Sequence, residues 1–107
     1  MNFSNKDLSY NIFNKMDFTD VDFSYSNLEN TEFVECKLTN AKFNNSVLTN
    51  VKFTKSIDIT NAQFTMAIYE EGFPPIGLTE TIMNCILINP RDSPLDPDAT
   101  RRLISNL

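Results

Sequence analysis

The 107-residue chain contains no histidine and no tryptophan, only two glycines and only two cysteines. Without histidine it lacks the commonest general base and metal ligand of proteins. It also lacks a P-loop, a dinucleotide-binding glycine pattern, a Cys-x-x-Cys pair and a nucleophile elbow. These absences predict that the protein is not an enzyme, has no catalytic residues, uses no cofactor and holds no metal ion.

Long hydrophobic runs and a strong charge are missing as well. No stretch approaches the roughly 20 apolar residues of a membrane-spanning helix, and no basic segment followed by an apolar run marks a signal peptide at the N-terminus. The net charge of −5 argues against nucleic acid or an anionic membrane as a direct partner. We therefore expect a cytoplasmic protein, or a periplasmic or thylakoid-lumen protein if a targeting segment has been removed.

The two cysteines, Cys36 and Cys85, are too few for a disulfide framework. Both are expected to be reduced and buried, as free cysteines often are. A disulfide between them is the alternative, and it requires the C-terminal segment to fold back along the core.

A five-residue repeat dominates the first two-thirds of the chain. Large apolar residues recur every fifth position eleven times without a miss, and after one inserted residue the series resumes. Neither the 3.6-residue period of a helix nor the two-residue period of a strand fits this spacing. We predict that these residues form the structural core: Phe3, Leu8, Phe13, Phe18, Phe23, Leu28, Phe33, Leu38, Phe43, Leu48, Phe53, Ile59 and Phe64.

A second series of mostly small residues lies two positions before each large one, with Lys6 and Asn11 as polar exceptions. Units such as AKFNN, SNLEN, VDFSY and CKLTN resemble the A(D/N)LXX units of the pentapeptide-repeat family, over roughly residues 1–71. The resemblance implies an all-β fold, a right-handed quadrilateral β-helix of about 3–3.5 coils. In that family each unit forms one side of a square, and the large and small residues point inward.

Residues twenty apart should stack if four units make one coil. Phe23 then lies on Phe3, and Leu28 on Leu8, as like-with-like packing favours. The outward charges agree, because Lys15, Glu35 and Lys55 alternate in sign at the same spacing. Asparagine is abundant, and it tolerates turn conformations that usually require glycine. Asparagine is therefore expected to replace glycine in the turns.

Residues 72–107 are predicted to form a C-terminal tail that caps the solenoid. Within it, Thr81 to Asn89 is compatible with a buried strand, an irregular last coil or a short helix. Asp96, Pro97 and Asp98 indicate a helix start, so a helix is expected near 97–106. At the other end the repeat begins at once, so that end is exposed, meets another chain, or continues in a longer natural protein.

The leading functional hypothesis is a non-enzymatic structural or protein–protein interaction module with an unknown protein partner. Candidate contact residues are Tyr10 and Tyr25, which are predicted to face outward, and Leu103, Ile104 and Leu107 on the predicted C-terminal helix. A homodimer through an exposed solenoid end or that helix is a further prediction.

The resemblance also suggests an alternative function, because some members of the family imitate DNA and bind a type II topoisomerase such as gyrase. Three and a quarter coils at a spacing of about 4.8 Å make a rod only about 16 Å long. The repeat region up to residue 68 carries eight acids and six lysines, so its charges nearly balance. Both features differ from duplex DNA.

Overall fold

The computed structural model of the protein describes residues 2–55 and 57–90. Over these residues the chain winds into a four-sided, right-handed β-helix in which each coil lies directly on the previous one. Strands β1 (Ile12–Asn14), β2 (Glu32–Val34) and β3 (Lys52–Thr54) form a parallel sheet in that order. Phe13 pairs with Phe33, and Phe33 with Phe53, which confirms the predicted coil of twenty residues.

The other three sides of the coil pair through single bridges between successive coils rather than through full strands. The spacing between partners is twenty residues in the first coils and becomes 21 residues at Lys37 and Asp58, where the inserted residue has been passed. We number the walls by their central residues: wall 1 is Phe3, Phe23, Phe43 and Phe64; wall 2 is Leu8, Leu28, Leu48 and Tyr69; wall 3 is Phe13, Phe33 and Phe53; wall 4 is Phe18, Leu38 and Ile59.

The corners between the walls are made by residues in the left-handed region. Thirteen non-glycine residues have a φ between 53° and 63°, one in each repeat, and six of them are asparagine. In the corner after Phe18, the Val21 N–H donates to the Phe18 carbonyl at 3.1 Å, and Asp20 supplies the positive φ. Asparagine tolerates this conformation better than most residues. The prediction that it replaces glycine is therefore confirmed.

The core consists of phenylalanine rings stacked along the solenoid axis. The Phe23 and Phe43 rings are parallel within 9° at a centroid distance of 5.0 Å, and the Phe43 and Phe64 rings repeat this geometry. Between walls the rings meet edge to face, as Phe33 and Phe43 do at 88°. Both geometries are favourable for aromatic pairs. The columns of like residues therefore give each coil a flat, matching surface for the next one.

Polar residues in the inward small positions form hydrogen bonds with the coil before them. The hydroxyl of Ser26 donates to the Phe3 carbonyl at 2.5 Å, and that of Thr31 donates to the Leu8 carbonyl at 2.7 Å. The thiol of Cys36 approaches the Phe13 carbonyl at 3.2 Å. These groups are buried and carry partners, which removes most of the cost of placing them in the core.

The solenoid pairing continues past residue 71. Strand β4 (Ile68–Glu70) pairs in parallel with β5 (Leu87–Asn89), and helix α1 (Glu80–Met83) precedes β5. The segment from Thr81 to Asn89 is thus the end of a short helix followed by a strand. That strand is exposed, so the buried-strand alternative is wrong.

Other parts of the tail contact the third coil. Ile76 bridges to Lys52, and Gly77, with a φ of +96°, lies against Phe53 so closely that a Cβ would collide with the Phe53 carbonyl oxygen. Only glycine fits this position without a shift of the backbone. The helix predicted near 97–106 lies outside the described residues.

The structure corrects the expectation for one cysteine. Both cysteines are free, but only Cys36 is buried, whereas Cys85 is exposed after α1. The Cys85 thiol lies near the Thr81 carbonyl at 3.6 Å, within its own segment. The alternative of a disulfide between the two cysteines is therefore wrong.

Candidate interaction surface

The four walls differ in the side chains that they turn outward, although their inner faces are alike. In each repeat the residues just before and just after the central one face outward, together with the corner residue. On wall 4 these positions hold only polar or charged side chains. On wall 2 they hold acidic, apolar and uncharged polar residues and no lysine. These outward residues of wall 2 include Asp7, Tyr10, Glu29, Val47, Ile68 and Glu70.

A ladder of two asparagines marks the corner between walls 2 and 3. The Asn50 side-chain amide donates to Asn30 Oδ1 at 2.5 Å, because the two residues occupy the same corner in successive coils. Tyr10 occupies this corner in the first coil and is 73% exposed. We call Asn30 and Asn50 the Asn ladder.

Two shallow grooves flank the Asn ladder. The first has a volume of about 200 Å³ and lies between the ladder and wall 3, where it is lined by Tyr10, Ile12, Glu32 and Lys52. The second has a volume of about 140 Å³ and lies on wall 2, lined by Glu29, Thr49, Glu70 and Phe73. Both grooves follow columns of stacked residues, so they run parallel to the solenoid axis.

The structure separates the predicted contact residues. Tyr10 lies at the first groove beside Ile12, which is 71% exposed, whereas Tyr25 lies at the corner after wall 1, away from both grooves. Leu103, Ile104 and Leu107 lie outside the described residues. Of the five candidates, therefore, Tyr10 alone is placed at a groove.

The predicted core residues differ in burial along the axis. Phe3, Leu8 and Phe13 of the first coil and Ile59 of the third are partly buried. The remaining nine are buried, with exposures from 0% at Phe23 to 4% at Phe53 and Phe64.

Four of the five aspartates among the described residues accept a hydrogen bond from the backbone N–H two positions further along their own repeat. Asp17 Oδ1 accepts hydrogen bonds from the Thr19 hydroxyl at 2.6 Å and from the Thr19 N–H at 3.0 Å. These hydrogen bonds favour the ionised form, so the pKa of the Asp17 carboxyl lies below its ordinary value. The same lowering of the pKa occurs at Asp7, Asp22 and Asp58, whose partners are Ser9, Ser24 and Thr60.

In residues 2–55 and 57–90, no group of three or more Cys, Asp or Glu side chains is arranged to hold a metal ion. No helix in that part of the chain is long and apolar enough to cross a membrane. The outward serines and threonines that follow Asp7 and Asp17 bind those carboxylates, so turn formation accounts for them.

The sequence interpretation missed the two grooves and the one-sided chemistry of wall 2. It compared charges along single columns, where signs alternate, and did not sum them over a whole wall. Sorting the outward residues by their position within the twenty-residue coil would have revealed that wall 2 has no lysine. The grooves themselves depend on side-chain size at neighbouring columns, which that sorting does not reveal.

The geometry defines a class of protein, the four-sided β-solenoid built from five-residue repeats. The family model for pentapeptide repeats matches the chain in eight copies, over residues 2–40 and 31–68. Because these matches span more than half of the chain, the chain belongs to the pentapeptide-repeat family.

Solved structures with a similar fold include a pentapeptide repeat protein from Nostoc PCC 7120, with 14% identity and a TM-score of 0.38, over 82% of this chain and 76% of that one. Another is a pentapeptide repeat protein from the thylakoid lumen of Arabidopsis thaliana, with 21% identity and a TM-score of 0.35, over 96% and 77% of the two chains. QnrB1, a plasmid-mediated fluoroquinolone resistance protein, matches at 14% identity and a TM-score of 0.24, over 65% and 57%. No curated protein matches the chain.

Proposed function

We propose that the chain is a non-enzymatic module that binds another protein through wall 2 and the adjoining corner. The observation that supports this most is the exposed Tyr10, which lines the first groove at the corner between walls 2 and 3. Exposed tyrosines are frequent anchors of protein interfaces, because they bury a large area and lose little conformational freedom. Members of this family are generally structural or interaction modules, which agrees with the proposal.

A matched pair of variants tests the proposal. Tyr10 and Tyr25 are both exposed corner residues with a positive φ, but only Tyr10 borders a groove. The immobilised chain is used to capture proteins from an extract of its native source, with chemical cross-linking. We expect Tyr10→Ser to reduce capture of a specific partner about fivefold or more, and Tyr25→Ser to leave it unchanged. Equal capture by all three chains, or no partner above background, contradicts the proposal.

A second copy of the chain is another partner that the sequence suggests. The first coil leaves Phe3, Leu8 and Phe13 partly exposed, and β5 is exposed at the other end. Light scattering over a range of concentrations measures whether the chain dimerises. A stable dimer would support a contact between copies of the chain, and a monomer at all concentrations would contradict it.

Mimicry of DNA receives less support from the charge distribution. Along walls 1, 3 and 4 acids and lysines alternate between coils, as at Asp22 and Lys42, so no continuous acidic track like a phosphate backbone is formed. A gyrase supercoiling assay tests this alternative. For the compartment we propose the cytoplasm, which cell fractionation with an antibody to the chain tests.

A further inference from the structure

We propose that wall 2 binds an extended segment of another protein that carries two basic residues three positions apart. This inference rests on the proposed function and adds the chemistry of the partner. It comes from the chemistry of the wall, the spacing of its two groove carboxylates and the direction of its grooves.

The charge of wall 2 defines the sign of the partner. Glu29 and Glu70 lie in the same column on either side of Thr49 and line the second groove. Among the described residues, neither the outward positions of wall 2 nor the lining of this groove includes a lysine or arginine; Lys6 of the first repeat occupies an inward position and does not line the groove. A cationic side chain in the groove would therefore meet two carboxylates and no positive charge from the described lining, which favours a basic partner.

The spacing of the two carboxylates defines the spacing of the basic residues. Glu29 and Glu70 are two coils apart, which corresponds to about 9.6 Å at a spacing of about 4.8 Å between coils. A polyproline II segment rises about 3.1 Å per residue with three residues per turn, so residues i and i+3 lie on one side about 9.3 Å apart. A basic residue at each of these positions can reach one carboxylate.

The Asn ladder adds hydrogen-bonding groups for the backbone of such a segment. Asn50 donates to Asn30 Oδ1, and among the described residues no partner binds Asn50 Oδ1 or the Asn30 side-chain amide. The Asn ladder lies between the two grooves, and one of its acceptors and one of its donors therefore remain for the backbone of a bound segment. Tyr10, which is exposed, occupies the same corner as the Asn ladder in the first coil and offers aromatic surface to apolar or proline side chains.

Wall 4 provides an internal comparison. It also carries acids, namely Asp17, Asp20 and Asp58, but Lys37 lies between Asp17 and Asp58 in the same column. None of its outward residues is apolar. Wall 2 carries at least three acids and no lysine in its outward positions, whereas wall 4 carries three acids and one lysine. Net charge alone would therefore make wall 4 bind basic segments only somewhat more weakly than wall 2. If the grooves and the Glu29–Glu70 spacing matter, wall 2 binds and wall 4 does not.

The test is a titration of the ¹⁵N-labelled full chain with short peptides, followed by NMR. The probe is acetyl-Lys-Pro-Pro-Lys-Pro-Pro-amide, and the controls are acetyl-Lys-Lys-Pro-Pro-Pro-Pro-amide and the same probe with glutamate in place of lysine. We expect shift changes at Glu29, Glu70 and the side-chain amides of the Asn ladder, and little change on wall 4. The probe should bind about threefold or more tightly than the peptide with adjacent lysines.

Matched variants separate a specific site from general charge attraction. Glu29→Gln with Glu70→Gln should weaken binding of the probe about fivefold, whereas Asp20→Asn with Glu35→Gln, which removes the same charge elsewhere, should change it less than twofold. Equal weakening by both pairs, shift changes spread over walls 2 and 4, or no shift at millimolar peptide overturns the inference. If a protein captured through Tyr10 still binds in that case, the proposed function stands and only the partner chemistry is wrong.

Discussion

Three of the four central residues of the first coil are only partly buried, whereas all four of the second coil are fully buried. Phe18 is the exception in the first coil, because rings of both coils pack edge to face around it. Phe23, Phe33 and Phe43 are fully buried, because a stacked residue lies on each side of every ring. Phe3 and Phe13 are only partly buried, since each contacts a stacked partner on one side alone among the described residues. Position within the repeat therefore decides which way a side chain points, and the neighbouring coils decide how much water it loses.

The polar residues of the first coil follow the same rule. In the inward small positions, Lys6 and Asn11 are exposed, whereas Ser26 and Thr31 one coil later are buried and hydrogen-bonded to the first coil. An open β edge with apolar residues is prone to association, and lysine at such an edge discourages it. Lys6 and Asn11 thus suit an end coil and would be costly one coil further in.

The largest expected effect is the loss of stability when a core ring is removed. It tests directly whether the first coil is less tightly packed than the second. Phe33→Ala should lower the free energy of unfolding by about 3–5 kcal/mol, because it leaves a cavity between two coils. Phe3→Ala should lower it by only about 1–2 kcal/mol, because that ring is already partly in water. Urea denaturation followed by circular dichroism measures both. Equal losses would mean that the first coil is as tightly packed as the second.

An intermediate effect on stability is expected at the contact between Gly77 and Phe53, where the tail packs against the third coil. Gly77→Ala places a Cβ against the Phe53 carbonyl oxygen and forces alanine into a positive φ, which should cost more than the roughly 1–3 kcal/mol of the backbone strain alone. Gly72 also has a positive φ, of 90°, so Gly72→Ala is the control for the strain of that backbone conformation. Thermal unfolding of both variants gives the difference. Identical melting temperatures would show that the tail does not support the third coil.

The smallest effect is expected from pH, and it should be similar in the first and second coils because the turn carboxylates are at the surface of both. The pKa values of Asp17 and Asp22 are lowered in the folded chain, by hydrogen bonds from Thr19 and Ser24. Their contribution to stability is therefore complete above the unfolded pKa, near 3.8, and is lost as the pH falls through the folded pKa.

Asparagine at these positions keeps the oxygen that accepts the hydrogen bonds but does not titrate. Asp17→Asn with Asp22→Asn should therefore flatten the loss of stability below pH 4, measured as the urea midpoint against pH. Asp20→Asn with Glu35→Gln is the control with the same change in charge. If both pairs alter the pH profile equally, the effect is one of net charge and not of the turn hydrogen bonds.

Much of the fold was predictable from the sequence, and less of the candidate surface. Large residues recur every five positions up to Phe53. Because each side of the coil has five residues and each coil has four sides, this recurrence predicts which residues pair between successive coils. The tail was harder, because Ile76, Gly77 and β5 pair with the solenoid without repeating its pattern. For the surface, Tyr10 was predicted to face outward. Its position at a groove depends on Asn30, which is distant in sequence, and on Ile12, which has no distinctive place in the repeat pattern.

The sequence by itself determined the period, the inward and outward faces and the columns in which like residues stack, because these follow from local repetition. Only the tertiary structure decided which inward residues lose all contact with water, which polar groups find partners across coils, and how Gly77 and β5 continue the pairing. The physical reason is that burial, hydrogen bonding between coils and groove shape arise from contacts between residues about twenty positions apart. No single repeat contains such contacts.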